Sequence, residues 1–179
     1  ESELSETGVE KLSLRGVAKR AGVSHAAPAH HFKDKAGLLT ALTVIGFERL
    51  TEAQLTRAAE ITEPRKALIA KGKGYITFAL ANPALFDLMF GSHQPDFTDV
   101  MLGRAADEAM IPLMESVTEM AGSSPFAGGQ PTADLVASWA LVHGLAGLLN
   151  HGKLRWAEDL NGDIDSLVHN VLSARLNIS

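Results

Sequence analysis

The sequence predicts an all-α protein, on three observations. Apolar residues recur at i, i+3, i+4 and i+7 along most of the chain. Sustained two-residue alternation of β-branched residues is missing, and the one Asn-Gly pair, Asn161-Gly162, lies among Asp159, Asp163 and Asp165 rather than between two strand-like runs. Ser, Thr, Asp, Pro and Gly punctuate the apolar segments where helix caps and stops are expected.

Ser13 is placed to cap a short helix whose apolar positions Leu14, Val17, Ala18 and Ala21 share a face, and Gly22 supplies its stop. Ser24 is the expected cap of the next helix, which reaches about Phe32. Pro28 falls at the edge of its first turn, where a missing N–H costs little. Asp34 caps a long helix that begins at Lys35 and runs through Leu38, Leu39, Leu42, Ile45, Leu50 and Leu55 to about Ile61. Thr62-Glu63-Pro64 opens a helix to about Ala81, and Asn82-Pro83 opens a short one ending near Gly91. Another helix spans about Phe97 to Ala121. Gly122 to Gln130, rich in Gly, Ser and Pro, reads as a flexible loop. Helices from Pro131 to about His151 and from Asp163 to about Asn177 complete the chain.

With 46% apolar, 6% aromatic and 21% charged residues, the 179-residue chain has the balance of a globular protein. Its longest purely apolar runs are short, so no membrane span is expected, and the acidic start at Glu1, Glu3 and Glu6 is unlike a signal peptide. A cytoplasmic location is the expectation. The absence of cysteine excludes disulfides, thiolate metal sites and cysteine nucleophiles. The net charge is −5, yet Lys11, Arg15, Lys19, Arg20, Lys33 and Lys35 against Asp34 alone give the stretch from Lys11 to Gly37 a charge of +5, leaving −10 elsewhere. Such asymmetry suits a small basic module that meets phosphate, carried by an acidic body; an ordinary solvated helix face would look the same.

Helix, glycine-containing turn, helix is the arrangement in which a first helix braces a second against the major groove. A second helix capped at Ser24 would present Ser24, His25, Ala26, Ala29 and His30 outward. Ser24 could then meet phosphate, while the small side chains let the backbone approach base edges. The stretch LSLRGVAKRAGVSHAAPAHHFKDKAGLLTAL, Leu12 to Leu42, resembles the DNA-binding signature of the TetR/AcrR family of transcriptional regulators. The resemblance implies a small core of Leu14, Val17, Ala18, Ala21 and Phe32, a turn at Gly22, Val23 and Ser24, and a recognition helix from Ser24 to His31. It further implies DNA contacts from Ser13, Arg15, Ser24, His25, Ala26, Ala29, His30 and Lys35, the last gripping phosphate at the head of the long helix. Ala29 departs from the family's usual tyrosine, which leaves the affinity per half-site either reduced or made up elsewhere. The family also has several helical turns before the position of Gly8, where only Glu1 to Thr7 stand here, so the N-terminus reads as trimmed. His25, His30 and His31 invite a metal reading, but no carboxylate or cysteine accompanies them at ligand spacing and no metal is expected. His31, beside Phe32, is expected to face inward.

In ASWALVHGLAGLL, Trp139 and His143 are four apart and share a helix face, followed by Gly144 and Gly147. The pattern resembles the C-terminal sensor domain of the TetR subgroup named for the letters WHG. Together the resemblances imply a DNA-binding domain over residues 1–45 and a ligand-sensing, dimerisation domain over 46–179. Phe86, Phe90, Met101, Met114, Trp139 and His143 are the candidate ligand-binding residues, since adaptable methionines beside aromatics suit a pocket for apolar molecules. The same residues would also suit an ordinary core. The last helix carries Ile164, Leu167, Val168, Val171, Leu172 and Leu176 on one stripe, and the helix before it is apolar around most of its circumference. Pairing of these two helices with their copies in a homodimer is the expectation. The implied partners are an operator in double-stranded DNA and an unidentified small effector, with no cofactor and no membrane.

An α-helical enzyme using His143 as base lacks any nucleophile motif, phosphate loop or revealing carboxylate pair in support. A protein-interaction adaptor with a degenerate helix-turn-helix is kept open by the alanine at position 29.

Overall fold

The computed structural model describes residues 1–154 and 163–176. Their elements are α1 (Ser2–Lys11), α2 (Leu14–Ala21), α3 (Ala27–Phe32), α4 (Lys35–Ala58), α5 (Pro64–Ala81), α6 (Pro83–Gly91), α7 (Val100–Ala121), α8 (Ala133–Asn150) and α9 (Ile164–Leu176), with one short hairpin of β1 (Phe126–Ala127) and β2 (Gln130–Pro131). The all-α expectation holds.

Local chemistry starts and stops these helices. Ser13 Oγ accepts from the Gly16 amide at 3.1 Å, and Gly22 ends α2 in the left-handed region at φ 66°. Asp34 Oδ1 accepts from Gly37 at 2.9 Å, Asp99 Oδ1 from Met101 and Leu102 at 2.9 and 3.0 Å, and Thr132 Oγ1 from Leu135 at 3.4 Å. Each satisfies an amide that the first helical turn would otherwise orphan, worth about 1 kcal/mol. The Asp99 cap is why α7 begins at Val100 rather than near Phe97.

The start of the recognition helix differs from expectation. α3 opens at Ala27, and Ser24 lies in the preceding turn, its carbonyl accepting from the Ala27 amide at 3.1 Å. A helix capped at Ser24 would need its first amide-to-carbonyl bond from residue 28, and Pro28 has no N–H to give. The first such bond therefore runs from His30 to Ala26, at 3.0 Å.

The chain forms two compact units, residues 1–49 with 82–109, and residues 50–81 with 110–179. α4 and α7 each contribute to both, and position 45/46 falls inside α4. In the first unit Leu4, Leu12, Ala18, Leu38, Leu39 and Leu88 are buried. Of the small core expected there, only Ala18 is fully buried; Leu14, Val17 and Phe32 are half-buried and Ala21 is exposed. Six- and eight-residue helices have too little surface to enclose a core, so the long α4 supplies it through Leu38, Leu39 and Leu42.

In the second unit α5 packs against α8 and α9. Gly72 makes room for Leu172 and Val142, Asn150 Nδ2 donates to the Ala79 carbonyl at 3.2 Å, and Asp165 accepts from Arg57 at 3.1 Å and Lys73 at 2.8 Å. Leu167, Val168 and Leu172 of the apolar stripe are buried within the chain itself, not left open for pairing with a copy, whereas Ile164 is exposed. The Leu176 side chain and the expected helix end at Asn177 lie outside the described residues.

Two further expectations are corrected. The loop from Gly122 to Gln130 holds the hairpin, closed by Gly128 and Gly129 at φ 59° and 80°. A Gly-Gly pair meets the two positive φ angles of a tight hairpin turn as Asn-Gly would. In addition α8, with Asp134 its sole Asp, Glu, Lys or Arg, is long and apolar enough to cross a membrane by length and composition. Ser138, His143 and Asn150 break its apolar runs without adding Asp, Glu, Lys or Arg, which is why short runs understated how apolar the predicted helix is as a whole.

Candidate nucleic-acid interface and sensor cluster

α2 and α3 are joined by the left-handed Gly22 and the turn through Ala26. Ser24, His25, Ala26, Ala29 and His30 are all exposed, as are Ser13 and Arg15 at the start of α2. Ser13 Oγ is already occupied as a cap, so any phosphate contact adds to that role. His31 is exposed as well, stacked on His30 with ring centroids 6.0 Å apart, because Pro28 and Phe32, four residues apart, take the inward face.

Electrostatic partners that local sequence could not show redistribute the basic stretch. Arg20 donates through Nε to Glu3 at 2.8 Å and grips both oxygens of Glu6, one at 2.7 Å and one closer. Hydrogen bonds from Arg20 hold the Glu6 carboxyl below its usual range, and those to Glu6 and then Glu3 raise the guanidinium's own pKa. Arg20 is thus committed to α1. Lys35 Nζ, expected to grip phosphate, donates to the Glu10 carbonyl at 3.0 Å, and Gln94 Nε2 donates to the Glu10 carboxylate at 2.7 Å. Arg15, Lys19 and Lys33 enter no ion pair among the described residues.

The candidate ligand residues separate. In the first unit Phe86 is buried against Phe90, centroids 4.8 Å apart, and Phe90 meets Phe47 edge-on at 5.5 Å, while Met101 is 60% exposed. In the second unit Met114 is half-buried against Leu113, Val117 and Leu135. Trp139 and His143 come together on α8, centroids 5.7 Å apart, and Tyr75 of α5 joins them with its phenol oxygen 2.9 Å from His143 Nδ1.

Burial raises the Tyr75 phenol's pKa, partly offset by a hydrogen bond from Trp139. The phenol oxygen thus has the Trp139 indole N–H and His143 Nδ1 as partners, and whether phenol or imidazole donates in the second bond follows the histidine tautomer. Tyr75 stands in the sequence among the Met and aromatic residues that suit a pocket, but helix spacing could not pair it with His143, 68 positions away.

Burial lowers the His143 pKa below its ordinary 6.5. Below 6.5 an unfolded chain takes up a proton that the folded ring resists, so stability is complete above that pH and falls as pH drops toward the folded value. Glu6, Asp96 and Asp165, also lowered, lose stability only below their ordinary values of 4.5, 3.8 and 3.8. Melting temperature should therefore fall between pH 7.5 and 5, and His143→Gln should flatten that fall. An equal fall in the variant would remove His143 as its source.

The geometry agrees with comparisons to known proteins. A family model described as bacterial regulatory proteins, tetR family, matches residues 1–42, and one described as tetracyclin repressor-like, C-terminal domain, matches residues 68–172. The HTH-type transcriptional regulator BetI of Yersinia pestis is 36% identical over 83 residues, covering 45% of this chain and 42% of that protein, so the match spans under half the length of these curated relatives. A protein with unknown function from Rhodococcus sp. RHA1 superposes with a TM-score of 0.75 at 33% identity, over 97% of this chain and 86% of that one. The TetR family transcriptional regulator PfmR of Thermus thermophilus shares the fold, with a TM-score of 0.61 at 20% identity over 94% and 91% of the two chains.

Proposed function

The chain belongs to the TetR family of DNA-binding transcriptional regulators, and from that premise we propose that it is a homodimeric repressor released from a palindromic operator by a small, largely apolar effector. The observation that carries this reading is the α2–α3 pair, with a capped first helix, a left-handed glycine turn and Ser24, His25, Ala26, Ala29 and His30 exposed together. The small residues permit close approach to base edges, and His30 can read one. Ser13, Arg15 and Lys35 serve the backbone, Lys35 after exchanging the Glu10 carbonyl for a phosphate oxygen.

Dimerisation is assigned to the exposed face of α8, since the apolar stripe of α9 is already packed inside the chain. α8 leaves Val136, Trp139, Ala140, Gly144 and Leu148 exposed along one stripe, and a side chain at Gly144 or Gly147 would meet nothing within 4 Å. A second helix could approach that bare backbone closely. The effector is assigned to the second unit, where Tyr75, Trp139 and His143 could orient one polar group.

Titration of duplex DNA from upstream of the gene, followed by fluorescence anisotropy, tests the reading. A dimer neutralising about three phosphates per half-site gives a slope of log K against log salt of roughly −5. Lys35→Ala should weaken all sequences alike by about 1 kcal/mol, whereas His30→Ala should change the preferred sequence at roughly 1–3 kcal/mol per lost base contact. Salt-insensitive or purely monomeric binding would overturn the operator reading. An effector that bound tightly yet left operator affinity unchanged would overturn release, since coupling requires different affinity for the two states.

A further inference from the structure

We propose that Lys33 is a DNA-backbone contact flanking the recognition helix, held in place by a strained turn. The inference rests on the reading of α2–α3 as the DNA-binding surface. Lys33 has φ 67° and ψ −60°, and the Asp34 amide donates across it to the Phe32 carbonyl at 2.8 Å. This is a γ-turn of the positive-φ kind, which is strained for any residue with a Cβ. The other positive φ angles among the described residues are all at glycine: Gly8, Gly22, Gly122, Gly128, Gly129 and Gly152. Glycine would adopt this turn without penalty, so the turn alone gives no reason for a lysine.

Position and charge supply one. Lys33 follows the last residue of α3 directly and is exposed. A six-residue helix is about 9 Å long, less than the roughly 12 Å width of the major groove, so a lysine at its end reaches the phosphates that bound the groove. Two other cations of the basic stretch are engaged inside the protein, Arg20 by Glu3 and Glu6 and Lys35 by the Glu10 carbonyl. Lys33 makes no ion pair among the described residues, and the neighbouring carboxylate, Asp34, is turned to the Gly37 amide as a cap.

Strain and charge are separable by substitution. Lys33→Gly removes both, Lys33→Gln keeps the strain and removes the charge, and Lys33→Arg keeps both. The probe is the upstream duplex above, titrated at several salt concentrations alongside thermal melts of the intact chain. Lys33→Gly should raise Tm by roughly 2–8 °C, while both it and Lys33→Gln bind DNA about tenfold more weakly near physiological salt. Their salt slope should be shallower by about 2 for the dimer, one phosphate per subunit, and Lys33→Arg should match wild type. Unchanged affinity and slope in Lys33→Gly and Lys33→Gln would overturn the contact while leaving the DNA-binding reading intact. A Tm that does not rise in Lys33→Gly would overturn the strained turn as its holder. Failure of wild type itself to bind duplex would overturn both readings.

Discussion

Gly74→Ala is expected to lower the melting temperature by roughly 10 °C, although it exchanges glycine for the best helix former in the middle of a helix. A Cβ at Gly74 would lie 2.4 Å from the carbonyl oxygen of Ala53 and 2.9 Å from both the Ala53 carbonyl carbon and the Gln54 Cα. All three are backbone atoms of α4, and none can rotate away. Alanine's helical propensity returns about 1 kcal/mol, whereas overpacking costs about 1–3 kcal/mol in ordinary cores and more against rigid backbone. A net loss of about 3 kcal/mol follows, at roughly 2–4 °C per kcal/mol for a chain of this length. Gly46→Ala is the control. There the close atoms are the thioether sulfur and Cγ of Met89, which can swing aside, so a change of less than about 1 kcal/mol is expected. Thermal melts by circular dichroism decide it, and equal Tm values for Gly74→Ala and wild type would show that α4 and α5 can separate at little cost.

Gly37→Ala should act on DNA binding as well as stability. A Cβ there would stand 2.0 Å from the Phe32 carbonyl oxygen, the same oxygen that accepts the turn bond from Asp34. Gly37 also donates its amide to the Asp34 cap, so it cannot retreat without losing that bond. The turn must open, and with it the angle at which α3 leaves α4. If opening is favoured by about 3 kcal/mol, the binding-competent fraction falls to about one in a hundred, and apparent affinity falls with it. Anisotropy with the upstream duplex measures this, and undiminished affinity would show that the angle is held elsewhere. Adding Lys33→Gly should restore part of the lost stability but not the affinity, because a glycine at 33 lets the Phe32 carbonyl turn away from the new methyl group while the Lys33 charge is removed.

Much of the fold was legible because helices announce themselves locally. The Ser13, Asp34 and Thr132 caps and the left-handed Gly22 are decided within four residues of chain, and so is the spacing that puts Trp139 beside His143. Two of the local errors have local causes as well. Pro28 delays α3 by withholding one N–H, and Gly128-Gly129 closes a hairpin by accepting two positive φ angles.

Sequence alone therefore determined the all-α class, the order of the helices from α2 onward and where the basic residues concentrate, since these depend on periodicity, capping and composition. Tertiary structure decided which of those charges remain available and which polar side chains meet. Arg20 is claimed by Glu3 and Glu6 from another helix, Lys35 by the Glu10 carbonyl, and His143 by Tyr75, 68 positions away. Such pairings arise because each buried or crowded polar group must find a partner wherever folding brings one near, and neither periodicity nor composition records that encounter.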